Sequence, residues 1–419
     1  MNLGNLLYTL QCSPFLNFQA IKKIIFTVTN DLTFDRRMLR IGTSLAKAGF
    51  DVWLVGRRLN NSQPYENQYI KSHRIALVFN KGKLFYLEYN LRLFFWLLFQ
   101  RVDIIGGIDL DSILPCYFSA KIKNILRGLV RFEFRVLGFE LARKAKIKVV
   151  YDAHELFSET PEVVRRPRIR RFWLAIERFI VPKVDAAYTV SQSIVEEFEQ
   201  RYGRRFDLIR NLPLRHVVSS EKIIFNKEWG QNIELQTIYK SKIILYQGAL
   251  NEGRGLETAI EAMQFVENAE LWLVGEGDLS QILRGMVERL NLQKKVKFLG
   301  FIVPDELPFY TAKADIGLLI LEDKGLSYRY SLANKFLDYI QAEVPQICIQ
   351  FPEYQRLNEQ YNVAILIEKA DVELYLIALN RLLDDTVFYQ QMKENCRAAA
   401  TVLCWEKEEE RLVELYRNL

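Results

Sequence analysis

The chain has few cysteines, and their spacing excludes two common kinds of site. Among its 419 residues there are five cysteines, scattered between Cys12 and Cys404 with no C-x-x-C pair. This pattern excludes a zinc knuckle and a disulfide framework. Scattered, odd-numbered cysteines are typical of a protein that stays in a reducing compartment.

Long apolar runs are missing as well. The most apolar stretch, residues 93–99, is far shorter than the roughly 20 residues that a membrane-spanning helix needs. Residues 1–20 carry no basic residue ahead of their apolar residues, so they lack the pattern of a secretory signal. We therefore expect a cytoplasmic protein, soluble or held peripherally at the inner face of the plasma membrane.

Neither sign of charge dominates. Lys and Arg number 57 against 51 Asp and Glu, which gives a net charge of +6, and nucleic acid is not an expected partner. The apolar share of 50% and the charged share of 26% are ordinary for a globular protein and exclude a disordered or collagen-like chain. At roughly 150 residues per domain, the length predicts two or three domains.

Two halves of the chain repeat one alternation of strands and helices. Short runs rich in Val, Ile and Leu alternate with segments of helical period, which predicts two doubly wound α/β domains with parallel sheets. Two such domains place a cleft between them, at the carboxyl ends of their strands. The polar segment 215–240 is predicted to hold the domain boundary, and residues 387–419 are predicted to be helical throughout. The predicted strands are 23–29, 51–55, 102–105, 148–151 and 186–190, then 242–246, 270–274, 296–299, 316–320 and 346–348.

A glycine-rich segment, 248–255, follows one of these strands and opens a helix. Glycines allow the backbone to approach a ligand closely, and a helix start attracts anions. Arg254 could add a charged fork to phosphate oxygens; the alternative is a plain turn with a surface arginine. The segment 275–278 half-matches a dinucleotide motif, but Ser280 replaces its third glycine, so a tight turn lining the cleft is the better interpretation.

A second candidate phosphate site is the segment 330–338. Ser331 is predicted to cap a helix whose first amides point outward as donors. Lys335 lies one turn further on, and Asp338 lies near the same face. Such a helix start can hold a diphosphate and a ribose, and the alternative is a capped helix with a surface ion pair.

Two acidic motifs follow strands in the first half. The segment Asp152–Glu155 ends a buried strand. A histidine at the carboxyl end of a strand, such as His154, is expected to face the cleft. Asp109 and Asp111 match the D-x-D pattern of divalent-ion sites, but a loop or helix cap is the default interpretation of so short a match.

Basic and aromatic residues cluster in the first half, which suits an anionic membrane surface. The alternative is a solvated helix face over an ordinary core. The basic residues are Lys121, Lys123, Arg127, Arg131, Arg135, Arg143, Lys144, Lys146, Arg165, Arg166, Arg168, Arg170 and Arg171. The aromatic residues are Phe94, Phe95, Trp96, Phe99, Phe132, Phe134, Phe172 and Trp173.

Taken together, these motifs resemble the GT-B glycosyltransferases, in particular the retaining family 4 group of bacterial polysaccharide enzymes. The resemblance covers nearly the whole chain after residue 20. It rests on YQGALNEGRGL (246–256), LVGEG (273–277), VKFLG (296–300), NKFLDY (334–339), NDLTFDR (30–36) and VYDAHE (150–155).

The resemblance implies an architecture of two Rossmann-like domains that face a central cleft. An N-terminal extension (1–20) precedes an acceptor domain (21–220) and a nucleotide-sugar donor domain (221–395), and a C-terminal helix (396–419) crosses back to the first domain. No metal or other cofactor is expected, since the donor is itself the UDP- or GDP-sugar substrate.

The resemblance also implies residue roles. His154, Arg254 and Lys335 are the expected catalytic residues, and Asn30, Asp35 and Arg36 are expected to face the acceptor. Donor binding is expected from Gly248, Gly253, Gly277, Phe301, Ile302, Tyr330, Ser331, Leu332, Ala333, Asn334 and Asp338.

Three positions depart from the family pattern. Tyr330 replaces the first acid of the E-x7-E motif, which contacts donor sugar hydroxyls, and Asp338 replaces its second glutamate. Ala249 replaces the basic residue that follows Gly248. The expected activity is metal-independent sugar transfer with retention, from a nucleotide diphosphate sugar to a glycan or lipid-linked acceptor in cell-surface polysaccharide synthesis. A non-catalytic nucleotide-sugar-binding subunit and a nucleotide-sugar epimerase are the alternatives.

Overall fold

The computed structural model describes residues 21–60, 62–65, 67–136, 145–215 and 241–419, without the side chains of residues 34 and 130–136. These residues form two domains, each built on one parallel sheet. The predicted boundary segment lies almost wholly outside the described residues, because 216–240 are not among them.

The first domain holds a seven-stranded sheet of order β3-β2-β1-β4-β5-β6-β7. Its strands are β1 (Lys23–Thr27), β2 (Asp51–Arg58), β3 (Lys71–Ala76), β4 (Ile104–Ile108), β5 (Lys148–Ala153), β6 (Ala186–Thr189) and β7 (Asp207–Leu208). Its α-helices are α1 (Arg36–Lys47), α2 (Gly82–Phe99), α3 (Asp109–Val136), α4 (Pro161–Val164), α5 (Pro167–Ile180) and α6 (Gln192–Tyr202).

The second domain repeats this order in six strands, β10-β9-β8-β11-β12-β13. The strands are β8 (Lys242–Gln247), β9 (Ala269–Val274), β10 (Val296–Gly300), β11 (Ile316–Leu319), β12 (Gln346–Ile349) and β13 (Ala364–Ile367). The helices are α7 (Leu256–Ala262), α8 (Ser280–Arg289), α9 (Leu307–Lys313), α10 (Leu326–Arg329), α11 (Asn334–Gln341), α12 (Pro352–Tyr361), α13 (Val372–Asp384), α14 (Thr386–Ala400) and α15 (Trp405–Arg417).

Each sheet is covered on both faces, as its apolar strands require. In the first domain, helices α2, α3 and α5 pack over one face, and helices α1 and α15 pack over the other. The strand order reverses between β1 and β4 and between β8 and β11. In sheets of this kind, ligands bind outside the carboxyl ends of the strands at that reversal. The fold class predicted from the sequence is confirmed.

Strands β3, β7 and β13 were not predicted, because each lies at the edge of its sheet. Strand β3 (KSHRIA) lies at the sheet edge, where only one of its six residues is buried, so its sequence is polar and lacks the apolar run of a central strand. Strand β13 occupies the opposite edge of the second sheet and is only four residues long. None of the described helices is both long and apolar enough to cross a membrane.

The C-terminal region is not one continuous helix, contrary to the prediction for 387–419. Helix α14 ends at Ala400, and α15 begins at Trp405 after a short turn. The crossing also starts later than the predicted residue 396, because Cys396 and Ala399 are buried in the core of the second domain. Only α15 crosses back to the first domain.

Helix α15 completes the core of the first domain. Trp405, Leu412 and Tyr416 are buried there. The Trp405 indole donates a hydrogen bond of 2.9 Å to the Ser44 hydroxyl of α1. The hydroxyls of Tyr416 and Tyr188 lie 3.3 Å apart, so α15 is fixed by both apolar and polar contacts.

We expect Trp405→Ala to lower the free energy of unfolding of the first domain by about 3–5 kcal/mol, because it empties a large core position. Urea unfolding followed by circular dichroism measures this loss. Val402→Ala is the matched control, since Val402 lies just before α15 and is exposed. Equal losses in the two variants would contradict this role for Trp405.

Candidate active site

Residues of both domains meet at the carboxyl ends of the two sheets. The Ser191 hydroxyl, after β6, donates a hydrogen bond of 2.7 Å to the carbonyl of Tyr330. The backbone N–H and the hydroxyl of Ser193 both donate to the buried Glu353 carboxylate at 2.8 Å. These bonds close one side of a cleft between the domains.

The glycine-rich loop after β8 lines the second domain's side of this cleft. Gly248 and Gly253 have φ angles of 130° and 80°, which residues with a Cβ rarely adopt. A Cβ added at Gly275, after β9, would lie 2.0 Å from the carbonyl oxygen of Gly248. The two loops are therefore in direct backbone contact. Gly277 is equally confined, since its Cβ would lie 2.2 Å from the Asn251 side chain.

Two cations lie at this loop: Lys335, which reaches it from helix α11, and Arg254 within it. The Lys335 ammonium lies 3.6 Å from the centroid of the Tyr246 ring and beside Gly248. The Arg254 guanidinium lies 4.8 Å from the Tyr328 ring, and its Nε is buried without a hydrogen-bond partner. Within the described residues neither side chain forms an ion pair. Burial, reinforced by the nearby Arg254 charge, holds the pKa of Lys335 well below its usual value.

Helix α11 begins beside these cations, but Ser331 does not cap it. The helix begins at Asn334 with Ala333 as its N-cap, and the Ser331 hydroxyl instead donates to the carbonyl of Tyr328 at 2.8 Å. The Ala333 N–H donates to the hydroxyl of the buried Tyr354 at 3.1 Å. Tyr354 of α12 therefore accepts from an amide at the start of this helix, where the sequence predicted that Ser331 would be the cap.

Asp338 lies one turn further along α11 and faces polar partners. Its carboxylate accepts a hydrogen bond of 3.0 Å from Gln247 at the end of β8. Burial raises the pKa of Asp338 to about 6, although Arg40 and Arg36 of helix α1 act to lower it. Asp338 thus lies where both domains influence its charge.

The other predicted donor residues lie around this loop in different environments. The ring of Tyr330 packs against the hydrophobic core of the first domain, while Leu332 is buried in the core of the second. Asn334 is exposed and accepts a hydrogen bond of 2.9 Å from Asn211 across the cleft. Of the residues after β10, Phe301 is 69% exposed and Ile302 packs against a small core of the second domain.

His154 lies on the first domain's side of the cleft between two carboxylates. Its Nε2 lies 3.2 Å from Asp152 and its Nδ1 lies 3.8 Å from Asp109, whose carboxylate also accepts the His154 backbone N–H at 2.9 Å. Burial by itself would lower the pKa of His154, but the two carboxylates outweigh it and raise that pKa. The ring is therefore oriented, and its protonated form is favoured.

Asp152 is itself fixed from below. The buried Arg37 of α1 forms an ion pair of 3.0 Å with it and also donates to the carbonyl of Ile209 at 3.2 Å. Burial would raise the pKa of Asp152, but Arg37 and His154 outweigh it and lower that pKa. A connected chain of polar contacts thus runs from Arg37 in the core through Asp152 to His154 in the cleft.

Asp109 and Asp111 form the start of helix α3, in keeping with the default interpretation of the D-x-D match. Asp111 accepts a hydrogen bond of 2.5 Å from the Thr29 hydroxyl. Burial raises the pKa of Asp109 to about 8 and that of Asp111 to about 6. Among the described residues there is no group of three or more His, Cys, Asp or Glu side chains that could hold a metal ion.

Glu155 was not among the predicted site residues, yet it reaches across the cleft. Burial, followed by the neighbouring Glu162 charge, raises the pKa of its carboxyl group, while the nearby Ser327 hydroxyl of α10 acts to lower that pKa. Only its adjacency to His154 in sequence could have suggested it. It is a further carboxyl group available in the cleft.

The predicted acceptor residues are engaged in local and cross-domain contacts. Asp35 caps helix α1 by accepting from the Met38 N–H at 3.0 Å, and it also accepts from Asn30 at 3.2 Å. Arg36 forms an ion pair with Asp305 of the second domain. This loop therefore lies along the cleft, and its side chains are held in place.

Two family models match the chain. One described as "Glycosyltransferase Family 4" matches residues 35–212, and one described as "Glycosyl transferases group 1" matches residues 231–399. The chain belongs to the family 4-like glycosyltransferases. The first model covers the domain that carries His154, and the second covers the domain that carries Arg254 and Lys335, so the cleft of this glycosyltransferase lies between its two matched domains.

Solved structures share the GT-B fold of this glycosyltransferase. Sucrose-phosphate synthase from Thermosynechococcus elongatus is 16% identical with a TM-score of 0.73, over 95% of this chain and 98% of that one. Anabaena HepE, solved with UDP-glucose, is 14% identical with a TM-score of 0.67, over 95% and 100%. WaaG, a glycosyltransferase involved in lipopolysaccharide biosynthesis, is 16% identical with a TM-score of 0.63, over 94% and 99%.

One curated relative also matches part of the chain. It is an uncharacterized glycosyltransferase of Methanocaldococcus jannaschii, 28% identical over 135 residues. The match spans 30% of this chain and about a third of that relative, 34% of its length.

We expect Asp152→Ala to lower the free energy of unfolding of the first domain by about 3–5 kcal/mol, because it leaves the Arg37 charge buried and unpaired. Asp323→Ala is the matched control. It breaks a pair with Arg329 of similar length, 2.9 Å, in which both side chains are about half exposed, and its loss should stay within about 1 kcal/mol. Urea unfolding compares the two variants. A loss for Asp152→Ala no larger than that of the control would contradict a stabilising role for the buried ion pair between Arg37 and Asp152.

Proposed function

We propose that this protein transfers a sugar from a nucleotide diphosphate sugar to a hydroxyl group of a glycan or lipid-linked acceptor, with retention and without a metal ion. The observation that carries this proposal is the pair of cations, Arg254 and Lys335, that share a glycine-rich loop without a carboxylate partner. Two like charges held together in a partly buried loop are stabilised when a dianion binds between them.

The leaving diphosphate would be bound by the second domain. Arg254 presents a planar fork of donors that matches phosphate oxygens, and Lys335 adds a second charge. The first amides of α11 add donors and the positive end of a helix dipole. Asp338, at the next turn, is proposed to accept from the donor ribose. These groups stabilise the charge that develops as the glycosidic bond loosens, so catalysis would come from positioning and electrostatics.

The first domain would present the acceptor and orient the sugar. His154, held by Asp152 and Asp109, donates to sugar oxygens rather than forming a covalent bond. The incoming hydroxyl forms the new glycosidic bond on the face from which the diphosphate leaves, and its proton passes to the departing phosphate oxygen, so the anomeric configuration is conserved. Glu155 supplies a carboxyl group at the same opening. Tyr330, which replaces the first acid of the E-x7-E motif, packs against the first domain and supplies no carboxyl group there.

We also propose that the reaction takes place in the cytoplasm and serves cell-surface polysaccharide synthesis. Cys116, Cys348, Cys396 and Cys404 are buried and unpaired, as expected in a reducing compartment. UDP is the first nucleotide to test, because the HepE structure was solved with UDP-glucose.

The decisive experiment compares Arg254→Ala with the wild type. We expect UDP or GDP to raise the thermal unfolding temperature of the wild type and to bind the variant about 10- to 100-fold more weakly, the loss of one charge-assisted contact. Isothermal titration calorimetry measures both affinities. Arg289→Ala is the matched control, since Arg289 is an exposed arginine of α8 in the same domain.

Product analysis by mass spectrometry then separates the functions. A glycoside formed from the matching nucleotide sugar supports transfer, an epimerised donor would assign epimerase activity, and a bound but unchanged donor would favour a binding subunit. Equal affinity of the wild type and Arg254→Ala for every nucleotide tested would contradict the donor site.

Lys335 gives the site a pH dependence of known sign. A diphosphate binds the protonated ammonium, whose pKa is lowered, so the affinity for UDP should fall as the pH rises through that pKa. The measurement runs upward from about pH 7, where a phosphate group with a pKa near 6 is already ionised. Lys335→Arg keeps its charge and should show a flat profile over the same range. Parallel profiles in calorimetry would contradict a role for this ammonium.

A further inference from the structure

Helix α2 is apolar on its exposed side as well as on its buried side. A helix that is apolar all round is ordinarily enclosed by protein or lipid. The buried side carries Phe85, Tyr89, Leu93 and Leu97. The exposed side carries a stripe with three- and four-residue spacing, Leu84, Leu87, Leu91, Phe95 and Phe99, the last of them 84% exposed.

Helix α3 extends this surface. It packs directly on α2, and the Asn90 side chain of α2 donates to the carbonyl of Asp111 on α3 at 2.9 Å. Its exposed residues include Lys121 and an apolar set that recurs with helical spacing: Ile122, Ile125, Leu126 and Leu129. We name these two stripes the α2–α3 face. Single exposed apolar residues are normal, but contiguous apolar patches of this kind mark interaction surfaces.

Unpaired arginines border the face on helix α5. Among the described residues, the side chains of Arg166, Arg168 and Arg171 make no hydrogen bond or ion pair. They line an open pocket of about 380 Å³ at the start of α5, and that start has no side-chain cap. Three positive charges at the positive end of a helix repel one another and favour a bound anion.

Several other residues of the predicted basic cluster have structural partners. Lys123 donates to the Leu97 carbonyl at 3.0 Å and so caps the end of α2. Arg127 donates to the Ala145 carbonyl at 2.9 Å, and Arg170 binds Glu159 through two bonds. Residues 131, 135, 143 and 144 lie outside the described side chains. Only part of the charge that the sequence offered is therefore available to a partner.

The acidic side chains of helices α2 and α3 do not offset these charges. Glu88 is the one acid of α2, and it already accepts from Arg92 and from the N–H groups of Val78 and Phe79. Asp109 and Asp111, the acids of the described part of α3 up to residue 129, face the cleft. The face thus combines apolar side chains with net positive charge.

This surface reaches the rim of the cleft. Helix α2 starts at the carboxyl end of the first sheet, since it follows β3 and returns to β4. The arginines of α5 lie at the same end, because the neighbouring Arg165 forms an ion pair of 3.3 Å with Glu252 in the glycine-rich loop. A molecule covering the face would therefore lie next to the cleft opening.

We propose that the α2–α3 face docks on an anionic lipid bilayer, with Leu87 and Leu91 in its interfacial layer and the arginines of α5 on lipid phosphates. A bilayer supplies both an apolar layer and negative charge. A second copy of the chain fits less well, because a symmetric interface would bring the same arginines together. Resting on the proposed function, the acceptor would be a lipid-linked hydroxyl delivered from that bilayer.

Vesicle co-sedimentation tests the docking without any nucleotide sugar. We expect the protein to bind vesicles of phosphatidylcholine mixed with phosphatidylglycerol and to leave vesicles of phosphatidylcholine alone in the supernatant. Two variants should each bind the mixed vesicles at least tenfold more weakly: Leu87→Glu with Leu91→Glu, and the charge reversal of Arg166, Arg168 and Arg171 to Glu. All substitutions are at exposed positions, and circular dichroism confirms folding.

Matched controls carry the same changes elsewhere. Ile282→Glu with Ile377→Glu places two carboxylates at positions 60% and 62% exposed in the second domain, and Arg289, Lys294 and Arg411 are exposed cations for charge reversal. Both controls should bind like the wild type. Absent binding, or equal losses in variants and controls, would overturn the proposal. A dimer that Leu87→Glu with Leu91→Glu dissociates would instead assign the face to self-association. Because binding is read without transfer, its failure is distinct from failure of the enzyme activity.

Discussion

The burial of helix α15 against the first sheet is the contact on which the cleft depends. Trp405, Leu412 and Tyr416 complete the core of a domain that lies far from them in sequence. With that helix in place, the carboxyl ends of both sheets face one another, and hydrogen bonds such as Ser191 to Tyr330 can form. An ordinary apolar contact therefore sets the distance between the two halves of the site.

Charge is divided unequally across this cleft. The second domain presents Arg254 and Lys335 without carboxylate partners, and the first presents Asp109, Asp152 and His154 in a connected set. An anionic group is favoured on one side, whereas a neutral, hydroxyl-rich molecule finds donors and acceptors on the other. This asymmetry matches a substrate with a phosphate end and a sugar end, and it arises from residues at the ends of separate strands and in the loops and helices that follow them.

Much of the fold could be predicted, because central strands carry apolar runs and the loops after them carry glycine and charge. The site motifs around Gly248, Lys335 and His154 follow strand ends, which is why the sequence alone located them. Other features depend on contacts between distant segments. Ser331 suited a helix cap, but Tyr354 of another helix satisfies the nearby Ala333 amide. Glu155 meets Ser327 only across the cleft, and polar edge strand β3 has no apolar pattern to recognise.

The chain passes between the domains near the Trp405 amide, which donates to the carbonyl of Pro213 at 2.8 Å. Pro213 lies two residues before the end of the described part of the first domain, and Trp405 begins the returning helix, so these two chain segments are hydrogen-bonded to each other. Rotation of the domains about this contact would change the width of the cleft most at the rim farthest from it. The ion pair between Arg165 and Glu252 joins the two domains through exposed side chains. Because such a pair contributes little energy, it would offer little resistance to that rotation.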